Sequence, residues 1–191
     1  MLRTIISQNT NWKNTRKAFN NLLKLGINSP EDVLKYDIKT LEEALKVVGL
    51  YRVKARKIVE LARKLYQKTF PVKIEDPERF REELLSLPAI GKKTADIILL
   101  FYYRLPYMPI DTHIARIIKR IYGKFSQYDE IRRFIEECLN KNPEEILQAH
   151  LLLIEFGRNV CRARNPLCEV CPISSYCNFY SFSKGFKVAK Q

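Results

Sequence analysis

Apolar residues recur at helical spacing along most of the chain. Ala18, Leu22 and Leu25 mark one face over residues 15–25, and Leu41, Leu45 and Val48 do so over 39–48. Ala55, Ile58, Val59, Ala62 and Leu65 share a face over 53–65. Further helices fit 77–85, 94–103, 112–122, 128–139 and 144–160. Ser29-Pro30-Glu31-Asp32 and Asn142-Pro143-Glu144-Glu145 each supply a capping side chain, a proline at the first helical position and acids in the first turn. No stretch alternates with a period of two, and no Asn-Gly hairpin is present. The pattern predicts an all-α fold. Two prolines interrupt the helical run at 104–109, which predicts two lobes, 1–104 and 105–191.

Charge narrows the partners. Lys and Arg number 34 against 21 Asp and Glu, a net charge of +13. Such an excess favours a polyanion, nucleic acid first. No apolar run approaches the roughly 20 residues of a membrane span. Residues 1–7 lack the apolar core of a secretory signal, so the sequence reads as cytoplasmic.

Four of the five cysteines lie in the last segment. Cys161, Cys168, Cys171 and Cys177 are spaced C-x6-C-x2-C-x5-C. Four thiols so close together in an intracellular chain suit a metal centre better than disulfides. The spacing alone admits tetrahedral zinc or a [4Fe–4S] cube. Arg162 and Arg164 fall within the first cysteine loop, where a pinned backbone would present their guanidinium groups to phosphates. Cys138, inside a predicted amphipathic helix, reads as a core residue, and so does His150.

The segment Leu87-Pro88-Ala89-Ile90-Gly91-Lys92-Lys93-Thr94-Ala95 joins two predicted helices by a tight turn. Backbone N–H groups at the start of the second helix, around Ile90, Gly91 and Lys92, would face an anion such as a DNA phosphate. Asp111 follows in Pro109-Ile110-Asp111-Thr112-His113. The helix over 93–103 rises about 16 Å, and the loop 104–110 spans about 23 Å when extended. The chain is therefore long enough to bring Asp111 back toward Lys93. Asp111 also has the character of an N-cap, and the two roles are compatible. His113 is placed to order the loop around it.

Taken together, Leu87–Ala95, Pro109–His113 and the four cysteines resemble the endonuclease III family of helix-hairpin-helix DNA glycosylases, in order and over nearly the whole chain. The resemblance implies a two-lobed all-α glycosylase fold with a [4Fe–4S] cluster on Cys161, Cys168, Cys171 and Cys177. It implies Lys93 as the nucleophile, forming a Schiff base at the sugar's anomeric carbon, and Asp111 as the carboxylate that stabilises the sugar cation. Ser7-Gln8-Asn9-Thr10 matches the segment whose glutamine, here Gln8, fills the space of the extruded base. Gly49-Leu50-Tyr51 matches a loop that wedges Leu50, with Tyr51 beside it, into the duplex. The implied activity is base-excision repair of oxidised pyrimidines with β-lyase cleavage, by a monomer acting on double-stranded DNA in a prokaryotic nucleoid. A monofunctional mismatch or alkyl-purine glycosylase and a non-catalytic DNA-binding protein are the rivals. Two departures stand out: Ala89 replaces the hairpin's first glycine, and only seven residues precede Gln8, where the family carries a further helical segment.

Overall fold

The computed structural model describes residues 2–8, 10–66, 71 and 73–183. Among these there are helices and turns and no strand. The helices are α1 (Leu2–Ser7), α2 (Trp12–Lys24), α3 (Pro30–Leu34), α4 (Ile38–Leu45), α5 (Tyr51–Leu65), α6 (Pro77–Leu85), α7 (Lys92–Ile97), α8 (Thr112–Tyr122), α9 (Tyr128–Cys138), α10 (Pro143–Asn159) and α11 (Asn178–Ser183). The chain divides into two compact units, Met1–Ala95 and Asp96–Gln191. That division lies ahead of the expected one at 104. Residues just after Ala95 include Leu100, which is fully buried in the core of the second unit.

The first unit holds α1 to α6. Its core comes largely from the predicted stripes: Leu22, Leu41, Leu45, Ile58 and Ala62 are almost completely buried, joined by Leu61 of α5 and by Ile5 and Ile6 of α1. Ser29 and Asp32 complete a capping box around α3, with Pro30 in its first turn, as the sequence pattern requires. Lys54 departs from the pattern because a lysine sits among these apolar side chains with only 3% exposure. Its Nζ donates to Ile6 O at 2.9 Å and to Thr10 Oγ1 at 2.5 Å. Burial pushes its amine below the usual lysine range.

The second unit is built on α8, α9 and α10. Ile114 and Ile118 of α8, Ile131 and Ile135 of α9 and Ile146 of α10 share one core with Met108 and Ile110 from the preceding loop. Helix α10 approaches α8 closely at Gly157. A Cβ there would lie 2.7 Å from His113 Cβ, too near for any larger residue without a shift. Asn142 caps α10 by accepting from Glu144 N and Glu145 N. The helix predicted over 94–103 is not uniform. After α7 the chain widens into a π-helical turn over Ile98–Tyr102, with Tyr103 N donating to Ile98 O at 3.3 Å.

Cys138 corrects an expectation. It is exposed, because the buried face of α9 is carried by Ile131 and Ile135, and α9 ends at Cys138 itself. His150 is buried, as expected.

Candidate functional site

In the first unit the turn between α6 and α7 folds tightly. Ile90 N donates to Leu87 O at 3.2 Å, and Ala89 adopts φ +63°. The left-handed region costs an L-residue about 1–2 kcal/mol, so alanine at this position is strained where glycine would not be. Gly91 is not among the glycines with positive φ. Ala89→Gly should raise the stability of the protein by about 1 kcal/mol, read as a higher melting temperature with cluster absorbance unchanged. An unchanged or lower melting temperature would show that the turn does not carry this strain.

Ile90 departs from the expected DNA contact. Its N–H is spent inside the turn and its side chain is only 5% exposed, so this residue holds the hairpin in place. Gly91, Lys92 and Lys93 are exposed at the start of α7. Among the described residues the Lys93 side chain makes no hydrogen bond or ion pair.

Gln8 is brought to this turn. Its Nε2 donates to Ala89 O at 3.2 Å. Thr10 Oγ1 donates to Gln8 O at 3.3 Å and accepts from buried Lys54. Lys54 thereby braces the segment that carries Gln8, a role its sequence position does not reveal. Asn9 lies outside the described residues. Leu50 precedes α5 with φ +56° and 66% of its surface exposed. A leucine both exposed and left-handed gains nothing from packing, and backbone strain of that kind collects at functional positions. Tyr51 is half-buried, with the Arg52 guanidinium 5.6 Å from its ring centre.

In the second unit Asp111 is the N-cap of α8. One carboxylate oxygen, Oδ1, accepts from His113 N at 2.8 Å and from Ile114 N at 2.9 Å. The other oxygen accepts no hydrogen bond among the described residues. The side chain is therefore fixed in direction with an acceptor to spare. The His113 ring lies 3.1 Å from Arg116 Nη2, so it helps order the α8–α10 contact, while its N–H holds Asp111.

The four cysteines line one pocket, together with Ile117, Phe156 and Leu167. Burial and the neighbouring Cys177, Cys161 and Cys171 push the Cys168 thiol above its ordinary range. Bound iron relieves that cost by taking the sulfurs as thiolates. Among the described residues no group of three His, Cys, Asp or Glu is arranged to hold one metal ion. Four cysteine sulfurs lining one pocket match the four thiolates that a [4Fe–4S] cube takes.

Two arginines that the sequence reading missed organise this loop. Arg120 Nη1 donates to Cys161 Sγ at 3.3 Å and to Arg162 O at 2.7 Å, Nη2 donates to Ala163 O at 3.2 Å, and the guanidinium stacks 4.6 Å from the Phe179 ring centre. Arg116 donates to Cys161 O at 3.0 Å and Gly157 O at 2.8 Å. They lie four residues apart on α8, one turn, so a single face of that helix grips the backbone next to a cluster ligand. Arg162 is exposed and donates to Asn159 O at 3.1 Å. Arg164 is exposed as well.

Comparisons with known proteins agree over nearly the full length. Residues 2–141 match the model of the HhH-GPD superfamily base excision DNA repair proteins. Residues 161–177 match the iron–sulfur binding domain of endonuclease III. Endonuclease III of Sulfolobus acidocaldarius is 36% identical over 183 residues, 94% of this chain and 81% of that protein. Endonuclease III of Thermotoga maritima is 36% identical over 182 residues, 94% of this chain and 82% of that protein. Among solved structures, a trapped covalent endonuclease III–DNA intermediate has a TM-score of 0.81 at 28% identity, covering 96% of this chain and 84% of that one. A non-covalent endonuclease III–DNA complex has a TM-score of 0.76 at 30% identity, with the same coverage of 96% and 84%. The chain belongs to the HhH-GPD superfamily of base excision DNA repair proteins, as a DNA glycosylase of the endonuclease III type whose closing cysteine segment carries a [4Fe–4S] cluster.

Proposed function

We propose that the chain is a bifunctional DNA glycosylase and abasic-site lyase that removes oxidised pyrimidines. One observation carries the reading: Lys93 presents an exposed amine, bonded to nothing among the described residues, directly after the hairpin turn. A purely hydrolytic glycosylase needs no such group. The Lys93 amine attacks C1′ of an everted nucleotide as the glycosidic bond breaks. Opening of the sugar leaves a Schiff base, whose acidified C2′ proton is then lost as the 3′ phosphate departs. Asp111, held through one oxygen, stabilises positive charge on the sugar as the base leaves and assists the proton transfers that follow. A covalent endonuclease III–DNA intermediate trapped in a solved relative supports the reading of a covalent step.

Gln8 occupies the space vacated by the base, Leu50 wedges into the opposite strand, and Tyr51, Gly91, Lys92, Arg162 and Arg164 contact the backbone. Four thiolates from Cys161, Cys168, Cys171 and Cys177 hold the cluster, which fixes the loop that presents the two arginines. The protein acts as a monomer on double-stranded DNA containing a damaged base or abasic site, in the nucleoid of a prokaryotic cell.

Borohydride trapping on thymine-glycol, uracil and abasic duplexes tests this. Trapping with the thymine-glycol and abasic duplexes, and none with uracil, is expected. Base release from a uracil or mismatched thymine duplex without any trapping would replace the lyase reading by the monofunctional one. Binding without chemistry on every duplex would leave only a DNA-binding role. Leu50→Ala should weaken binding to a lesion duplex by about 1–2 kcal/mol, the value of the lost apolar contact, with cluster absorbance intact. Equal affinity of the variant and the parent for that duplex would remove the wedge.

A further inference from the structure

The loop that delivers Asp111 has no regular structure, yet Tyr107, Met108, Pro109 and Ile110 are all buried. Buried backbone polar groups need partners. Here side chains from α9 and α10 supply them at three consecutive residues. Met108 N donates to Glu136 Oε1 at 2.8 Å. His150 Nδ1 lies 3.1 Å from Pro109 O, and only a protonated Nδ1 can bond to a carbonyl. Ile110 N donates to the Tyr128 hydroxyl at 3.1 Å, and that hydroxyl donates to Asp96 Oδ2 at 2.7 Å. Arg132 in turn holds Glu136, with Nη1 to Oε2 at 3.2 Å.

We propose that Tyr128 and His150 are positioning residues for the base-excision reaction, fixing the backbone at Pro109 and Ile110 and thereby aiming the Asp111 carboxylate. The proposal rests on the catalytic reading of Asp111 given above. Tyr128 acts on the residue adjacent to Asp111, and its hydroxyl is itself anchored by its bond to Asp96. His150 acts one residue further back, from a site 4% exposed and packed edge-on against the Phe101 ring at 5.5 Å. Neither residue touches substrate; each acts through Asp111.

Single-turnover rates on a thymine-glycol duplex test this for the cluster-loaded full chain, alongside affinity for a stable abasic-analogue duplex. Asp111→Asn keeps a good N-cap, so its rate loss reports the charge. Tyr128→Phe should lower the rate roughly ten- to hundredfold, as expected of a displaced catalytic group, with affinity and visible absorbance unchanged. In the Asp111→Asn background Tyr128→Phe should add nothing, because its effect passes through that carboxylate. A general structural defect would instead multiply the two losses, and that result, or an unchanged rate for Tyr128→Phe, overturns the proposal. If Tyr128→Phe does not fold with its cluster, His150→Phe, which keeps a ring and removes the donor to Pro109, is read in the same way. An Asp111→Asn protein as fast as the parent would instead overturn the catalytic reading of Asp111, a separate outcome.

Discussion

Lys93→Gln should abolish strand cleavage and borohydride trapping. Glutamine keeps the length and polarity of the side chain but its amide nitrogen has no nucleophilic lone pair, so no Schiff base can form and there is no imine to reduce. The loss in lyase rate should be several orders of magnitude, since a whole covalent route is removed. Because Lys93 is exposed and its side chain makes no bond among the described residues, the substitution should change stability by no more than about 0.5 kcal/mol. The melting temperature and cluster absorbance therefore serve as internal controls. Trapping of Lys93→Gln at the parent's level would refute the assignment. Lys92 would be the next candidate, although side chains of neighbouring residues on a helix point about 100° apart, so both cannot face one sugar.

The second large effect concerns the cluster. Cys177→Ala should bleach the brown colour and lower the bound iron. Alanine is preferred to serine because it leaves no atom able to ligate. The segment from Cys161 to Cys177 has only two short 3-10 turns, Cys168–Val170 and Ser174–Tyr176, as internal structure. Arg116 and Arg120 bond to its first residues, and a cluster on the four sulfurs would tie the rest together. Metal binding in such a loop is folding energy, on the order of 10 kcal/mol in small zinc domains. A loss of several kcal/mol is expected here, visible as a lower melting temperature and as rapid proteolysis within residues 161–177. A variant that keeps its absorbance and iron content would exclude Cys177 as a ligand. A colourless parent protein that holds zinc would overturn the cube itself, since zinc has a filled d shell.

Much of this protein was legible before folding was considered. Helical stripes placed Leu22, Leu41, Leu45 and Ile58 in their core because amphipathic periodicity is a local property. Ser29 and Asn142 cap the helices they precede for the same reason. The cysteine spacing announced a metal centre, and the pairing of a lysine after the hairpin with a later aspartate suggested the chemistry. Ile90 and Cys138 were misread because exposure is a matter of which face meets the core, which neighbours in sequence do not decide.

Sequence alone determined most of the longer helices and the caps at Ser29 and Asn142, since each depends on residues within a turn or two of one another, while the proposed sulfur donors and reacting amine came from the resemblance of whole motifs. Tertiary structure alone decided the left-handed backbone at Leu50 and Ala89, the grip of Arg116 and Arg120 on the cysteine loop, and the support of Asp111 by Tyr128 and His150. Those contacts join residues 18 to 45 positions apart. They form because buried peptide groups must find partners wherever the packed helices supply them, a demand that exists only once the chain has closed on itself.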